Sequence, residues 1–191
     1  MKIVEVLLAA RSITTDYQSQ FNHDSPIRIF KDGIQEIVAK QTDHQIQITC
    51  LDWPGNMFAA RLDRYNDVSK IWYSSTLNTC WSRFFIAKEL AHIICGNEQN
   101  YTKSLLPLVD SIIHGIPLTE EMEDCMLEHQ AFYGAIELLL PEHLYDDLYT
   151  QANAKTNREL AEHFRVPENI IDYRLSEPAR KMFNEFKSDV K

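Results

Sequence analysis

The stretch NTCWSRFFIAKELAHIICG, residues 78–96, decides how the rest of the chain is interpreted. Its apolar residues recur at helical spacing and Gly96 supplies a left-handed stop, so we expect one helix over residues 78–96. Inside this helix, residues 88–92 read KELAH. That is the pattern H-E-x-x-H with Lys88 in place of the first histidine. The functional interpretation therefore depends on one substituted position.

Composition and charge restrict the classes of protein to which this chain can belong. A chain of 191 residues is long enough for one domain, or one domain with a small appendage. No apolar run is long enough to cross a membrane and no export signal is recognisable, so we expect a cytoplasmic location and no membrane partner. The four cysteines form no CxxC pair, which favours reduced thiols. The net charge of −9 disfavours a general nucleic-acid surface.

The first half of the chain changes its hydrophobic period once. Residues 1–20 have one apolar face and predict a helix that packs on the body of the domain. A second helix is expected to begin at Ser25-Pro26 and to end near Gln41. Beyond it the pattern alternates, which predicts three short antiparallel strands over residues 45–51, 57–65 and 70–75, separated by turns at Pro54-Gly55 and Asn66-Asp67.

The second half is predicted to be helical. The connection over residues 97–123 contains an apolar segment, residues 105–113, for which we expect a short helix or a lid. A long helix should run from Thr119 to Leu140, where Pro141 stops it. Residues 157–175 have the layout of two short helices, either a helical hairpin covering the core or a DNA-reading helix-turn-helix. The tail, residues 177–191, is expected to form one more helix.

This order of elements resembles the ImmA/IrrE family of intracellular metallopeptidases over roughly residues 25–175. Three local matches carry the resemblance: RFFIAKELAH at residues 83–92, EHQA with a following LLLP over residues 128–141, and LAEHFRVP with a following RL over residues 160–175. The resemblance implies an α+β fold, mainly helical and zincin-like, with a small three-stranded antiparallel sheet and a C-terminal helical hairpin. We expect an N-terminal helical segment (residues 1–24), a zincin-like domain (25–145) and a C-terminal helical extension (146–191).

The resemblance also implies which residues would form the metal site. The ligand positions fall on Lys88, His92 and Glu128, and Glu89 takes the place of the general base. In an intact motif two imidazoles and a third ligand hold the zinc, and the glutamate activates the bound water. An ammonium has no lone pair to donate, so two protein ligands remain and zinc affinity should fall severely. The family's second-shell asparagine is replaced by Phe132, which cannot orient a ligand.

Lys88 has a physical interpretation of its own. Its ammonium could replace the charge of the metal and pair with Glu128, which would preserve the fold without zinc. In the alternative, Lys88 extends to solvent and Glu128 is a surface carboxylate. Cys125 and His129, with Cys95, could also rebuild a metal site, although a core position for Cys125 and an exposed His129 is the simpler expectation.

Three functions compete at this point. The first is a pseudoenzyme without zinc that binds a protein partner, namely a repressor, regulator or toxin, in phage, mobile-element or stress regulation. The second is an active zinc endopeptidase that cleaves a repressor or regulator, with Glu89 as general base and another group supplying the missing ligand. The third is a DNA-associated regulator that uses residues 157–175, which the negative net charge disfavours.

Overall fold

The computed structural model describes residues 2–21, 26–53, 58–96, 101–104, 106–115, 122–142, 145–153 and 155–185. Within them the expected α+β class is confirmed. The helices are α1 (Ile3–Phe21), α2 (Ile34–Thr42), α3 (Thr79–Ile94), α4 (Leu106–Ile113), α5 (Met122–Leu139), α6 (Tyr145–Ala152), α7 (Asn157–Phe164), α8 (Glu168–Leu175) and α9 (Glu177–Glu185). The strands are β1 (Gln45–Leu51), β2 (Ala60–Tyr65), β3 (Val68–Ser74) and β4 (Tyr101–Ser104).

The sheet is small but mixed, with the strand order β1-β3-β2-β4. β2 and β3 form the expected antiparallel hairpin, in which Asn66 adopts a left-handed φ of 47°. β1, however, runs parallel to β3, with Gln45 opposite Val68, so the prediction of a wholly antiparallel sheet was wrong for this strand. β4, which we did not predict, pairs antiparallel with β2. Alternating hydrophobicity identifies a strand, but it does not specify the neighbour or the direction of pairing.

The helix expected from Pro26 begins only at Ile34, and that boundary was wrong. Asp32 has a φ of 65°, which ends any right-handed helix at this point. A Cβ on Gly33 would lie 2.3 Å from the carbonyl oxygen of Arg28, so only glycine fits there. The dipeptide Asp32-Gly33 is a turn signal, and it outweighed the helical spacing of the apolar residues around it.

Three helices form the centre of the core, because α3 packs against α5 and α1 packs against both. The predicted α3 is confirmed: the Asn78 side chain caps it by accepting from the backbone N–H of Trp81 at 3.0 Å, and Gly96 follows it with a φ of 63°. A Cβ on Gly134 of α5 would lie 2.8 Å from the Cβ of Ala91 and 2.9 Å from Cγ1 of Val6. Gly134 therefore allows α5 to approach α3 and α1 closely.

The C-terminal helices contribute buried residues to the core. The predicted hairpin is confirmed as α7 and α8, joined at Arg165 with a φ of 52°. Thr156 and Glu159 form a reciprocal capping box at the start of α7. The short helix expected in the apolar segment is α4, and the tail forms α9, while residues 186–191 lie outside the described residues. The three-part domain division remains a prediction.

Among the described residues, no helix combines the length and the apolar character that a membrane span requires.

Candidate functional site

Residues 88–92, which read KELAH, lie in a buried part of α3. Every residue of α3 from Ser82 to Ile94 is buried, and Lys88, Glu89 and His92 are each 0% exposed. Because side chains four residues apart project from one face of a helix, Lys88 and His92 point the same way. α5 brings Glu128 against this face, and its side chain is 12% exposed.

Lys88 lies between the two groups that would be metal ligands. Its ammonium forms an ion pair with Oε2 of Glu128 and lies 3.4 Å from Nε2 of His92. Nε2 of His92 in turn lies 3.2 Å from Oε1 of Glu128. The expected pairing of Lys88 with Glu128 is therefore present, and the alternative in which Lys88 extends to solvent does not describe this structure.

The electrostatics of Glu128 follow from these contacts. Burial would raise the pKa of its carboxyl group, but the charge of Lys88 and the hydrogen bond and charge of His92 outweigh burial and lower the pKa to about 2. Glu128 is consequently ionised at neutral pH. A carboxylate with a partner on each oxygen is a stable arrangement inside a protein.

Arg64 is a second cation near the motif. From β2 its Nη2 donates to the carbonyl oxygen of His92 at 2.6 Å, near the C-terminal end of α3 where a positive charge is favoured. Burial lowers the pKa of Arg64, and the negative charge of Glu89 opposes that effect. Sequence reasoning missed Arg64, since no spacing rule relates a strand residue to a helix that it meets only in the fold.

The general-base role of Glu89 stays a prediction.

The residues present do not fit a three-ligand zinc site. His92 and Glu128 offer donor atoms, but the third position holds an ammonium, which has no lone pair. Within the described part of the chain, no three or more His, Cys, Asp or Glu side chains are grouped so that they could hold a metal.

Of the residues proposed to rebuild a site, Cys95 and His129 have described side chains, and neither belongs to a described group of three or more potential metal ligands. Cys95 is buried, and burial raises the pKa of its thiol to about 12, which disfavours the thiolate that binds metals. The imidazole of His129 packs edge-on against Tyr133, with ring centroids 6.4 Å apart, and burial lowers its pKa. The side chain of Cys125 lies outside the described residues.

Phe132 of α5 is part of the hydrophobic core. Phe132 is fully buried, and its ring packs edge-on against Phe84 at 5.8 Å and Tyr173 at 5.3 Å between centroids. An aromatic ring at this place supplies apolar contacts rather than a hydrogen bond.

The α7–α8 hairpin does not present a basic face. Its exposed acidic residues outnumber its exposed arginines. The acidic residues are Glu159, Glu162, Glu168 and Asp172, and the arginines are Arg158 and Arg165. Arg174, the remaining cation of α8, is buried. Because binding to DNA depends on cationic contacts with phosphates, this surface does not favour the DNA-reading alternative.

The family model described as IrrE N-terminal-like domain, Peptidase M78, matches residues 42–176. This match includes the sheet, α3, α5 and the α7–α8 hairpin. No curated protein matches the chain in a sequence comparison.

Proposed function

The chain belongs to the IrrE N-terminal-like family of peptidases, and we propose that it is a pseudoenzyme of that family, without zinc, that acts by binding a protein partner. The observation that carries the proposal is the position of Lys88, whose ammonium lies beside both His92 Nε2 and the Glu128 carboxylate. The buried Lys88 ammonium then has the structural role that a metal ion would have.

That task is to neutralise charge and to hold two helices together. A buried carboxylate without a partner is strongly destabilising. A zinc ion would neutralise Glu128 and join α5 to α3 through its ligands. Lys88 neutralises the same carboxylate and joins the same two helices through an ion pair. A protein with this arrangement keeps the family scaffold without depending on metal supply.

The kind of partner follows from the family likeness. A scaffold that recognises a regulator for cleavage can retain recognition after it loses cleavage, because recognition and hydrolysis depend on different residues. The proposed partner is therefore a repressor, regulator or toxin, and the proposed setting is phage, mobile-element or stress regulation in the cytoplasm.

The competing function is an active zinc endopeptidase with Glu89 as general base. One observation supports it, namely that His92 and Glu128 still face each other with 3.2 Å between Nε2 and Oε1. In that case zinc would have to displace the Lys88 ammonium, and water or another group would complete the coordination.

Hydrolysis of a proteome-derived peptide library, read by mass spectrometry with zinc added, separates the two functions. We expect no new cleavage by the wild type and a gain of cleavage by Lys88→His, which restores the third ligand. Lys40→His, on the exposed face of α2, adds a histidine elsewhere and should behave as the wild type. Cleavage by the wild type that Glu89→Gln abolishes would overturn the proposal in favour of the endopeptidase.

A further inference from the structure

β1 lies at one edge of the sheet, and its sequence lacks the features that protect an edge strand from pairing. The strand order β1-β3-β2-β4 gives β1 a neighbour on one side only among the described residues. β1 reads QIQITCL, which is seven residues without a charge or a proline. β4, at the other edge, has only four residues, YTKS, and includes a lysine. Because short strands and lysines prevent edge-to-edge association, β4 has the protection that β1 lacks.

The side of β1 that faces away from β3, which we call the open edge, can be assigned residue by residue. The N–H of Gln45 donates to the carbonyl oxygen of Asp67 at 2.7 Å, on the β3 side. The carbonyl oxygen of Leu51 accepts from the N–H of Ser75 at 2.9 Å, on the same side. Successive residues of a strand turn their backbone groups to opposite sides. The odd-numbered residues of β1 therefore face β3, and the even-numbered residues face the open edge.

Ile48 and Cys50 are the residues of the open edge whose backbone groups are available for pairing. The carbonyl oxygen of Ile46 already accepts from Nε2 of Gln35 at 2.9 Å. Among the described residues, no strand lies against the outward N–H and C=O groups of Ile48 and Cys50. Each of these two residues consequently offers one donor and one acceptor to an added strand.

We propose that the open edge is a dimer interface, in which β1 pairs antiparallel with β1 of a second copy of this chain. Two-fold symmetry brings the same edge of both copies together in opposite directions. In the proposed register, Ile48 of each copy pairs with Cys50 of the other, and the two pairs exchange all their outward hydrogen bonds. Thr49 then lies at the two-fold axis, opposite Thr49 of the other copy.

The neighbouring registers use the open edge less well. A register centred on Ile48 would need the carbonyl oxygen of Ile46, which Gln35 occupies. A register centred on Cys50 would pair Ile48 with Asp52, which lies beyond the end of β1. The register centred on Thr49 avoids both conflicts.

The side chains of β1 also fit a second copy of the same strand. Although the chain has a net charge of −9, β1 itself has no charge, so two copies of it meet without direct repulsion. Leu51, which is 38% exposed, would lie opposite Gln47 of the other copy and lose apolar surface to the interface. Opposed threonines are a favourable cross-strand pair. Symmetry therefore matches both the backbone and the side chains.

Sedimentation velocity of the full chain in reducing buffer, over a concentration series, tests the dimer. We expect a concentration-dependent dimer for the wild type. Thr49→Lys places two ammonium groups opposite each other at the axis and should raise the dissociation constant at least about fivefold. Thr15→Lys, the same change at an exposed position of α1, is the matched control and should dimerise as the wild type does.

Two results of this experiment would overturn the proposal. A wild type that stays monomeric at every concentration would leave the open edge to an extended segment of a different protein. Dimerisation of Thr49→Lys with the affinity of the wild type would place the interface elsewhere on the chain.

A disulfide cross-link tests the register. Thr49→Cys, made together with Cys50→Ser, places two thiols opposite each other at a Cα separation of about 4.5 Å, which a disulfide can span. Oxidised glutathione should therefore give a covalent dimer. In the wild type the two Cys50 residues are diagonal neighbours, about 7–8 Å apart, and should cross-link far less.

The cross-linking experiment has its own control and its own contradiction. Cys50→Ser alone should give no covalent dimer through β1. A dimer in solution that does not cross-link through position 49, or that cross-links better through Cys50, would overturn the proposed pairing. None of these measurements depends on zinc or on peptidase activity, so failure of the dimer leaves the proposed function standing.

Discussion

Glu128 and Glu137 are two glutamates on the same helix, both turned into the protein, and their pKa values move in opposite directions. The pKa of Glu128 is lowered to about 2, whereas that of Glu137 is raised to about 7. Both are largely removed from solvent, so burial does not explain the difference. Each oxygen of Glu128 has a partner, Lys88 on one and His92 on the other, while one oxygen of Glu137 has none among the described residues.

The comparison indicates what each end of α5 does. The Glu128 end has a fixed charge state at neutral pH and fastens α5 to α3. At the Glu137 end, burial raises the pKa of the carboxyl group, and Arg11 of α1 lies 3.0 Å from its Oε1. Lys88 thus gives the Glu128 carboxylate a buried ion pair, whereas Oε2 of Glu137 has no hydrogen-bond partner among the described residues.

Removal of the Lys88 ammonium should produce the largest effect. Lys88→Met gives a side chain of similar length without the charge. Of the two partners of the Glu128 carboxylate described above, His92 remains. We expect a loss of about 3–5 kcal/mol in the free energy of unfolding, measured with urea, because one partner of a buried ion pair is gone. Lys40→Met on the exposed surface should change stability by less than about 0.5 kcal/mol.

The double variant Lys88→Met with Glu128→Gln removes both charges and should recover most of that loss, because no buried charge is left without a partner. If Lys88→Met alone costs less than about 1 kcal/mol, the ion pair does not stabilise the core, and the role assigned to Glu128 in joining α5 to α3 is wrong.

The pH dependence of stability should separate the two glutamates. A carboxyl with a lowered pKa stabilises the fold above its unfolded value of 4.5, and that contribution is lost as the pH falls towards about 2. The pKa of Glu128 differs by about 2.5 between the unfolded and folded states, which corresponds to a contribution on the order of 3 kcal/mol to the free energy of unfolding. Urea unfolding at pH 3, 5 and 7 should show wild type and Glu128→Gln converging as the pH falls. Parallel curves would contradict the assignment.

Gly134, between the two glutamates, sets how closely α5 approaches its neighbours. Gly134→Ala places a Cβ 2.8 Å from that of Ala91, so crowding should cost about 1–3 kcal/mol, reduced by the higher helix propensity of alanine. Thermal unfolding measures the loss, and adding Ala91→Gly should restore part of it. A gain in stability from Gly134→Ala alone would show that the helices can separate without cost.

An exposed ion pair gives the smallest expected effect and calibrates the others. Arg158 and Glu162 lie 3.3 Å apart on α7, with side chains 79% and 69% exposed. Water screens such a pair, so Glu162→Gln should change the free energy of unfolding by less than about 0.5 kcal/mol. A loss as large as that from Lys88→Met would mean that burial is not what distinguishes the Glu128 pair.

Local sequence signals predicted the helices well. Asn78 and Gly96 mark the ends of α3, and Arg165-Val166-Pro167 marks the turn between α7 and α8. Such signals lie in neighbouring residues, so they can be read without knowledge of the fold. The predicted direction of β1 was wrong because strand pairing depends on contacts between distant residues. The predicted start of α2 was wrong for a local reason, since the Asp32-Gly33 turn signal was given less weight than the helical spacing.

The sequence predicted only those residues of the candidate site that belong to a recognisable motif. KELAH and the matched Glu128 led to the Lys88–Glu128 pair, since motif positions carry information on which residues meet. Arg64 and Arg11 belong to no motif, and only tertiary packing brings them to Glu89 and Glu137. One signal for a buried charge at Glu137 was present in the sequence: Glu137 is the single carboxylate within the apolar run of residues 134–140.

The zinc content of the wild-type protein, purified without chelator and measured by elemental analysis, tests the central claim most directly. Lys88→His, purified in the same way, serves as the positive control and should bind about one zinc per chain because it restores three protein ligands. We predict far less than one zinc per wild-type chain, since Lys88 occupies the third ligand position. Stoichiometric zinc in the wild type would contradict the account.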